Sequence, residues 1–270
     1  MSSRTVHKRQ LFHWIGKHID HDSGLSAAQK RAAYVDALAG SLTGGLWMSS
    51  VNEELTLRGV NPHSLTRRTV CFTENRLSDC QFHASRYGHL GLGFPKRFVL
   101  DAGGKPVSYV AHKVGDLYTR TLLGVLAGTL TAAQQDDLDF IAHFVKPLRA
   151  PRKAPAAAPN PRTGTTGPPQ PAPGAAAMHR QFGPPMMFHS EAEWRVVQHA
   201  ELLKRRRDRF TVGPKRTHLK YQHGADLMTI VFPDARTQHE AQIDPRIAPY
   251  LRDPSRPPIT MYHLQEIGEL

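Results

Sequence analysis

Glu191 and Glu193 stand two residues apart in a segment, residues 188–197, that reads Phe-His-Ser-Glu-Ala-Glu-Trp-Arg-Val-Val. Apolar residues at alternate positions predict a strand, and on a strand residues i and i+2 face the same side. Both carboxylates would then line one surface, with Arg195 beside them and able to pair, while Trp194 and Val196 pack on the other side. Carboxylates held in this way stabilise a developing positive charge or orient hydroxyl groups. On an open surface the same strand would be only an ion-paired edge. His13 lies between Phe12 and Trp14 in a short apolar segment, where an imidazole serves either a backbone partner or a cleft. His83 and Tyr87 have the spacing of one helical turn, which suits packing as well as ligand contact. Cys71-Phe72-Thr73-Glu74 closes another predicted strand. His18, His21 and Asp22 are metal-binding residue types, but without further ligands they define no site, so no metal is expected. The densest basic run, Lys204-Arg205-Arg206-Arg207 with Arg209, is either a solvated helix face or an edge that contacts phosphates.

The elements that must hold these groups can be read from pattern. Residues 69–110 form the organising stretch: a strand at 70–72, a helical turn or helix at 77–87, a strand at 90–94, a turn at Gly103-Gly104 and a strand at 107–110. Upstream, residues 11–15 read as a strand. Ser26 caps a helix over 27–39 that Gly40 closes, and 46–57 is a strand or an irregular layer. Residues 129–144 resemble a helix with Leu138, Ile141, Ala142 and Val145 on one face. Residues 226–232 and 259–262 supply late strands. Residues 150–177 are almost wholly Pro, Ala, Gly and small polar residues. They have too little to bury to offset their ordering entropy, so a disordered or polyproline-like insertion is expected there. Neither flank has enough elements to stand alone. Residues 1–149 and 178–270 are therefore expected to form one α+β domain.

Among 270 residues, 40% hydrophobic and 21% charged content fits a protein with a sizeable core. Lys and Arg outnumber Asp and Glu by 35 to 23, a net charge of +12, which favours an anionic partner and above all nucleic acid. Two cysteines, Cys71 and Cys80, exclude a disulfide framework. No run approaches the ~20 apolar residues of a membrane span, and the first residues lack a signal-peptide core. A cytoplasmic protein with no membrane partner is expected.

The motifs taken together resemble the AbiGi family of abortive-infection, or phage-resistance, proteins. The residues that carry the resemblance are Phe12-His13-Trp14, Cys71 to Glu74, His83 with Tyr87-Gly88, Gly91 to Phe94 with Lys96, Pro106 to Tyr109, and Glu191 to Arg195. They span most of the chain outside the Pro-rich segment. A second resemblance lies at the level of fold, to ADP-ribosyltransferases, with a His on the first strand, a Tyr in the middle and a Glu on a late strand. That resemblance implies a bent or split, mainly antiparallel sheet with NAD held in its cleft. His13 would then lie on the adenosine ribose and Tyr87 against the nicotinamide. Thr73 would stand in the place of the Ser-Thr-Ser motif, which is absent here. Glu193 would be the catalytic carboxylate, and Glu191 would assist the acceptor. Two functions follow from the resemblances. One is an NAD-dependent transferase that modifies nucleic acid during infection. The other is a non-catalytic antitoxin or regulatory subunit that binds and restrains a cognate toxin.

Overall fold

The computed structural model describes residues 10–55, 63–111, 131–148 and 192–267. Its strands are β1 (Gln10–Ile15), β2 (Leu46–Trp47), β3 (Ser49–Leu55), β4 (His63–Asn75), β5 (Leu90–Phe94), β6 (Lys105–Pro106) and β7 (Ser108–Ala111). These are followed by β8 (Val145–Leu148), β9 (Glu193–Val197), β10 (Phe210–Val212), β11 (Thr217–Leu219), β12 (Thr229–Phe232) and β13 (Thr260–His263). The main sheet runs β13-β12-β5-β1-β4-β9-β6, with β3 also paired to β4. Strands from before and after the Pro-rich segment thus lie side by side in one sheet, as in the β12–β5 and β4–β9 pairs. All its pairings are antiparallel except β12–β13. A three-stranded sheet β10-β11-β2 and the parallel pair β7–β8 complete the strands among the described residues. The architecture is mixed, with helices and a mainly antiparallel, open sheet.

Helices cover both faces of that sheet. On one face, α2 (Ala27–Gly44) packs Tyr34, Val35, Leu38 and Leu42 against Leu11, Phe72, Leu92 and Phe94. Phe98 and Val99 of α4 (Lys96–Asp101) join this core. On the other, α3 (Cys80–Tyr87) places Cys80 and Ala84 on Phe12, Trp14, Val231 and Tyr262. The remaining described helices are α1 (Lys17–His21), α5 (Ala132–Ala142), α6 (Ala200–Arg205), α7 (Ala235–Ile243), α8 (Ala248–Leu251) and α9 (Leu264–Ile267). None is long and apolar enough to cross a membrane among the described residues.

The Gly91-Leu92-Gly93-Phe94 motif is explained by this two-sided burial. All five residues of β5 are buried. Leu92 and Phe94 fill the α2 side, while Gly91 and Gly93 leave room on the other for two large rings of β1. A methyl group on Gly91 would come within 2.7 Å of the Trp14 ring, and one on Gly93 within 2.9 Å of Phe12. Gly88, which ends the His-Ala-Ser-Arg-Tyr-Gly segment, has φ 116°, and a Cβ there would sit 2.3 Å from the Ile15 carbonyl oxygen. We expect Gly91→Ala to destabilise the protein by about 1–3 kcal/mol, the usual range for overpacking a filled core. Thermal unfolding measures it, and a melting temperature unchanged from wild type would refute this account of the motif.

Several elements depart from the pattern-based expectations. Helix α2 runs through Gly40, where an added side chain would meet open space, and stops at Gly45, whose φ of 89° suits glycine. Strand β4 is 13 residues long where only 70–72 were expected, because β3 pairs with its polar first half. The helical turn or helix expected at 77–87 is both, a 3-10 turn at Leu77–Asp79 followed by α3. The strand expected at 107–110 is β7, one residue later at Ser108–Ala111, while the two residues before Val107 form β6 in the main sheet. The helix expected at 129–144 is α5, begun by a reciprocal Thr131–Gln134 cap. Its expected apolar face holds only in part: Ala142 is buried, but Ile141 is exposed and Val145 belongs to β8. Residues 150–177 and Glu191 lie outside the described residues.

Candidate functional site

The quoted motifs converge on the β4–β9 pair. Its register sets Thr73 opposite Glu193, Phe72 opposite Trp194 and Cys71 opposite Arg195. Directly opposed residues share a face, so the ladder carries one polar cluster on each side of the sheet. On the first side, Glu193 Oε1 accepts from Arg195 Nε at 2.7 Å, and Oε2 accepts from Lys146 Nζ of β8 at 2.5 Å. The Tyr109 hydroxyl of β7 donates to Oε2 at 3.2 Å. Arg195, only 1% exposed, also donates to the His143 carbonyl at 2.5 Å. On the second side, Glu74 accepts from Trp194 Nε1 at 3.0 Å and pairs with Lys96 at 3.0 Å. The Lys96 ammonium lies 4.8 Å from the centre of the Trp194 ring. The expectation that Arg195 pairs on the Glu193 side while Trp194 and Val196 face away is met.

Electrostatics fix the protonation states of this cluster. Burial by itself would raise the Glu193 carboxyl, but the charges and hydrogen bonds of Arg195 and Lys146 outweigh it and hold it below the ordinary carboxylate range. The Cys71 thiol is pushed up to about 12 by burial and by the adjacent Glu193 charge, so it stays protonated at neutral pH. It is therefore unsuited to nucleophilic attack. The carboxylate is ionised and held by two cations, an arrangement that fixes a strand pair firmly.

The other predicted site residues are spread over the sheet. His13 lies directly opposite Leu92, on the α2 side, whereas Glu193 shares the opposite side with Thr73 and Phe12. The two are thus on different faces, and the expected single cleft holding His13, Tyr87 and Glu193 is not formed. The imidazole Nδ1 lies 2.9 Å from the Cys71 carbonyl oxygen, and burial lowers its pKa. It occupies a parting of the sheet: β1 pairs with β4 only at residues 73–75 and β3 only at 63–69, on the same edge. Tyr87 packs on the face that Glu193 shares, stacked on His83 at 6.3 Å and against the Phe12–Trp14 cluster. The Thr73 hydroxyl is used internally, accepting from Trp14 Nε1 at 3.0 Å and Asn75 Nδ2 at 2.8 Å.

The basic run divides in two. Lys204, Arg205, Arg206 and Arg207 are exposed, with Arg205 near Glu201 at 3.6 Å. Arg209 is partly buried, paired with Asp226 at 2.9 Å and laid over the Phe98 ring, so it serves the fold. Sequence reasoning did not anticipate Lys146 or His143. A lone lysine in Val-Lys-Pro-Leu gives no signal of its ion pair; only the approach of β8 to β9 creates it. Comparison of the chain with protein-family models, with curated proteins and with solved structures returned no match.

Proposed function

We propose that this chain is a phage-defence protein of the AbiGi abortive-infection type that acts by binding and restraining a partner toxin. The observation that supports this reading is the convergence just described. Residues from the Cys-Phe-Thr-Glu, Gly-Phe-x-Lys, Pro-Val-x-Tyr and Glu-Trp-Arg segments hold one strand pair from both sides. Motif residues spent in this way specify a rigid frame, and the Glu193 carboxylate between Arg195 and Lys146 is not free to stabilise an oxocarbenium-like ribose. The adjacent gene product is the first candidate partner. Co-expression should relieve the growth arrest it causes, and the two should co-purify. Arrest that persists at equal expression would refute restraint.

A second reading, NAD-dependent ADP-ribosyl transfer to nucleic acid, is favoured by one observation: the parting between β1 and β3 along β4, with His13 set in it. On that reading NAD would enter the parting and Tyr87 would not contact it. Incubation of the purified chain with labelled NAD and single-stranded DNA or RNA separates the two. Transferred label that His13→Gln abolishes while the fold survives would establish the transferase; the restraint reading expects no transfer.

A further inference from the structure

The three-stranded sheet β10-β11-β2 presents a surface that neither reading above uses. Trp47 on β2 is 57% exposed, uncommon for so large an apolar ring. The Arg216 guanidinium lies 5.6 Å from its centre, and His218 is its direct cross-strand neighbour. Lys215, Arg216 and Lys220 are exposed, and none forms an ion pair with a described residue. Residues 210–225 contain no Asp or Glu. An exposed flat ring within unpaired positive charge complements a polyanion whose bases are free to stack.

An open cavity of about 460 Å³ lies on the other side of this small sheet. Arg68 lines it and donates to Thr217 Oγ1 at 2.7 Å and to the Lys215 carbonyl at 3.2 Å, meeting β11 on the buried side that Thr217 shares with Leu219. Arg67, Gln198, His199 and Asp136 also line it. Asp136 pairs with Arg67, and its other oxygen lies 3.0 Å from His199 Nε2, so of the two lining guanidinium groups Arg67 is neutralised and Arg68 keeps the lining positive. The Gln198 Oε1 atom is buried with no hydrogen-bond partner among the described residues. A volume of this order suits a small polar ligand. It opens away from Trp47, so the exposed face is argued without it.

We infer that this face binds single-stranded nucleic acid, with one base stacked on Trp47 and phosphates on Lys215 and Arg216. A duplex is disfavoured because its bases are already stacked and cannot cover the ring. The inference is independent of toxin restraint and of the exposed Lys204–Arg207 run.

Fluorescence anisotropy of the full chain with a labelled 12-nucleotide oligothymidine, and with a blunt duplex of equal length, tests it between 50 and 200 mM salt. Tighter binding of the single strand is expected. Trp47→Ala should weaken it roughly five- to a hundred-fold, with Trp47→Phe restoring most of the loss. Lys215→Ala with Arg216→Ala should make the salt slope shallower by about 1.4, as for two lost phosphate contacts on a single strand. Thermal melts of the variants, whose side chains are exposed, confirm folding. Three results would overturn the inference: no oligonucleotide binding at 50 mM salt, equal affinity for the duplex, or binding untouched by Trp47→Ala but lost when Arg205, Arg206 and Arg207 are neutralised. Trp47→Ala that spares oligonucleotide binding and instead abolishes capture of a partner protein would also overturn it.

Discussion

Glu193→Gln should lower the stability of the protein by about 3–5 kcal/mol, the usual cost of removing one partner from a buried ion pair. The amide is nearly isosteric, so shape is kept and the loss is electrostatic. Arg195, 1% exposed, would be left without the carboxylate that its Nε meets at 2.7 Å, and Lys146 would lose the same counter-charge. A shift of that size corresponds to a melting temperature lower by roughly 6–20 °C. Arg195→Met should be comparably damaging by leaving the carboxylate short of charge. The double variant should cost clearly less than the two single losses combined, since neither charge is then stranded. Because the Glu193 carboxyl titrates below its ordinary value of 4.5, its contribution is complete above that pH. It is lost as acid drives the pH down through the folded value, and Glu193→Gln should remove this part of the acid response. A variant as stable as wild type would show that the cluster is dispensable for the fold. It would also return Glu193 to the list of residues free for catalysis.

A second acid response should come from His83. Its ring is 2% exposed, stacked on Tyr87 and set edge-on to Phe82, and its Nδ1 has no hydrogen-bond partner among the described residues. Burial, helped by the nearby Arg86 charge, lowers its pKa from 6.5 to about 4. Between these values the unfolded chain binds the proton and the folded one does not. Stability is therefore full above pH 6.5 and falls as the pH drops toward 4, by about 3 kcal/mol for this group. His83→Phe keeps a flat ring in the same apolar setting and cannot charge. Urea unfolding at pH 7 and at pH 4.5 should show a clearly smaller difference for the variant than for wild type. His13, also lowered by burial, leaves a residual slope of the same sign. An identical pH dependence in wild type and variant would mean that His83 is not held neutral by its surroundings.

These two sites differ in how far the sequence discloses them. The period-two pattern of residues 193–197 determined that Glu193 and Arg195 share a side and that Trp194 and Val196 pack opposite. Likewise, the four-residue spacing of His83 and Tyr87 determined that they share one helix face, on which the structure stacks them. Both are local consequences of backbone geometry. The Gly-Leu-Gly-Phe segment announced a strand, but not that its glycines make room for Trp14 and Phe12, because the partner strand lies some 80 residues earlier. The same limit explains the error over His13. Its own strand was read correctly, yet which face it shares with Glu193 depends on the β1–β4–β9 register, and one residue of offset reverses every side chain.

The small sheet was missed for a related reason. Strands β2, β10 and β11 have only two or three residues each, too short for a period to register, and they form because β11 pairs with both of the others. By itself, then, the sequence determined the basic charge, the strand and helix types, and the facing of neighbours within each element. Only the tertiary structure decided that Lys146 and Tyr109 meet Glu193, that Arg209 is held by Asp226, and that Trp47 stands exposed beside Arg216. Each of those pairings joins separate elements, and it is fixed by how the elements register and pack, which no local pattern encodes.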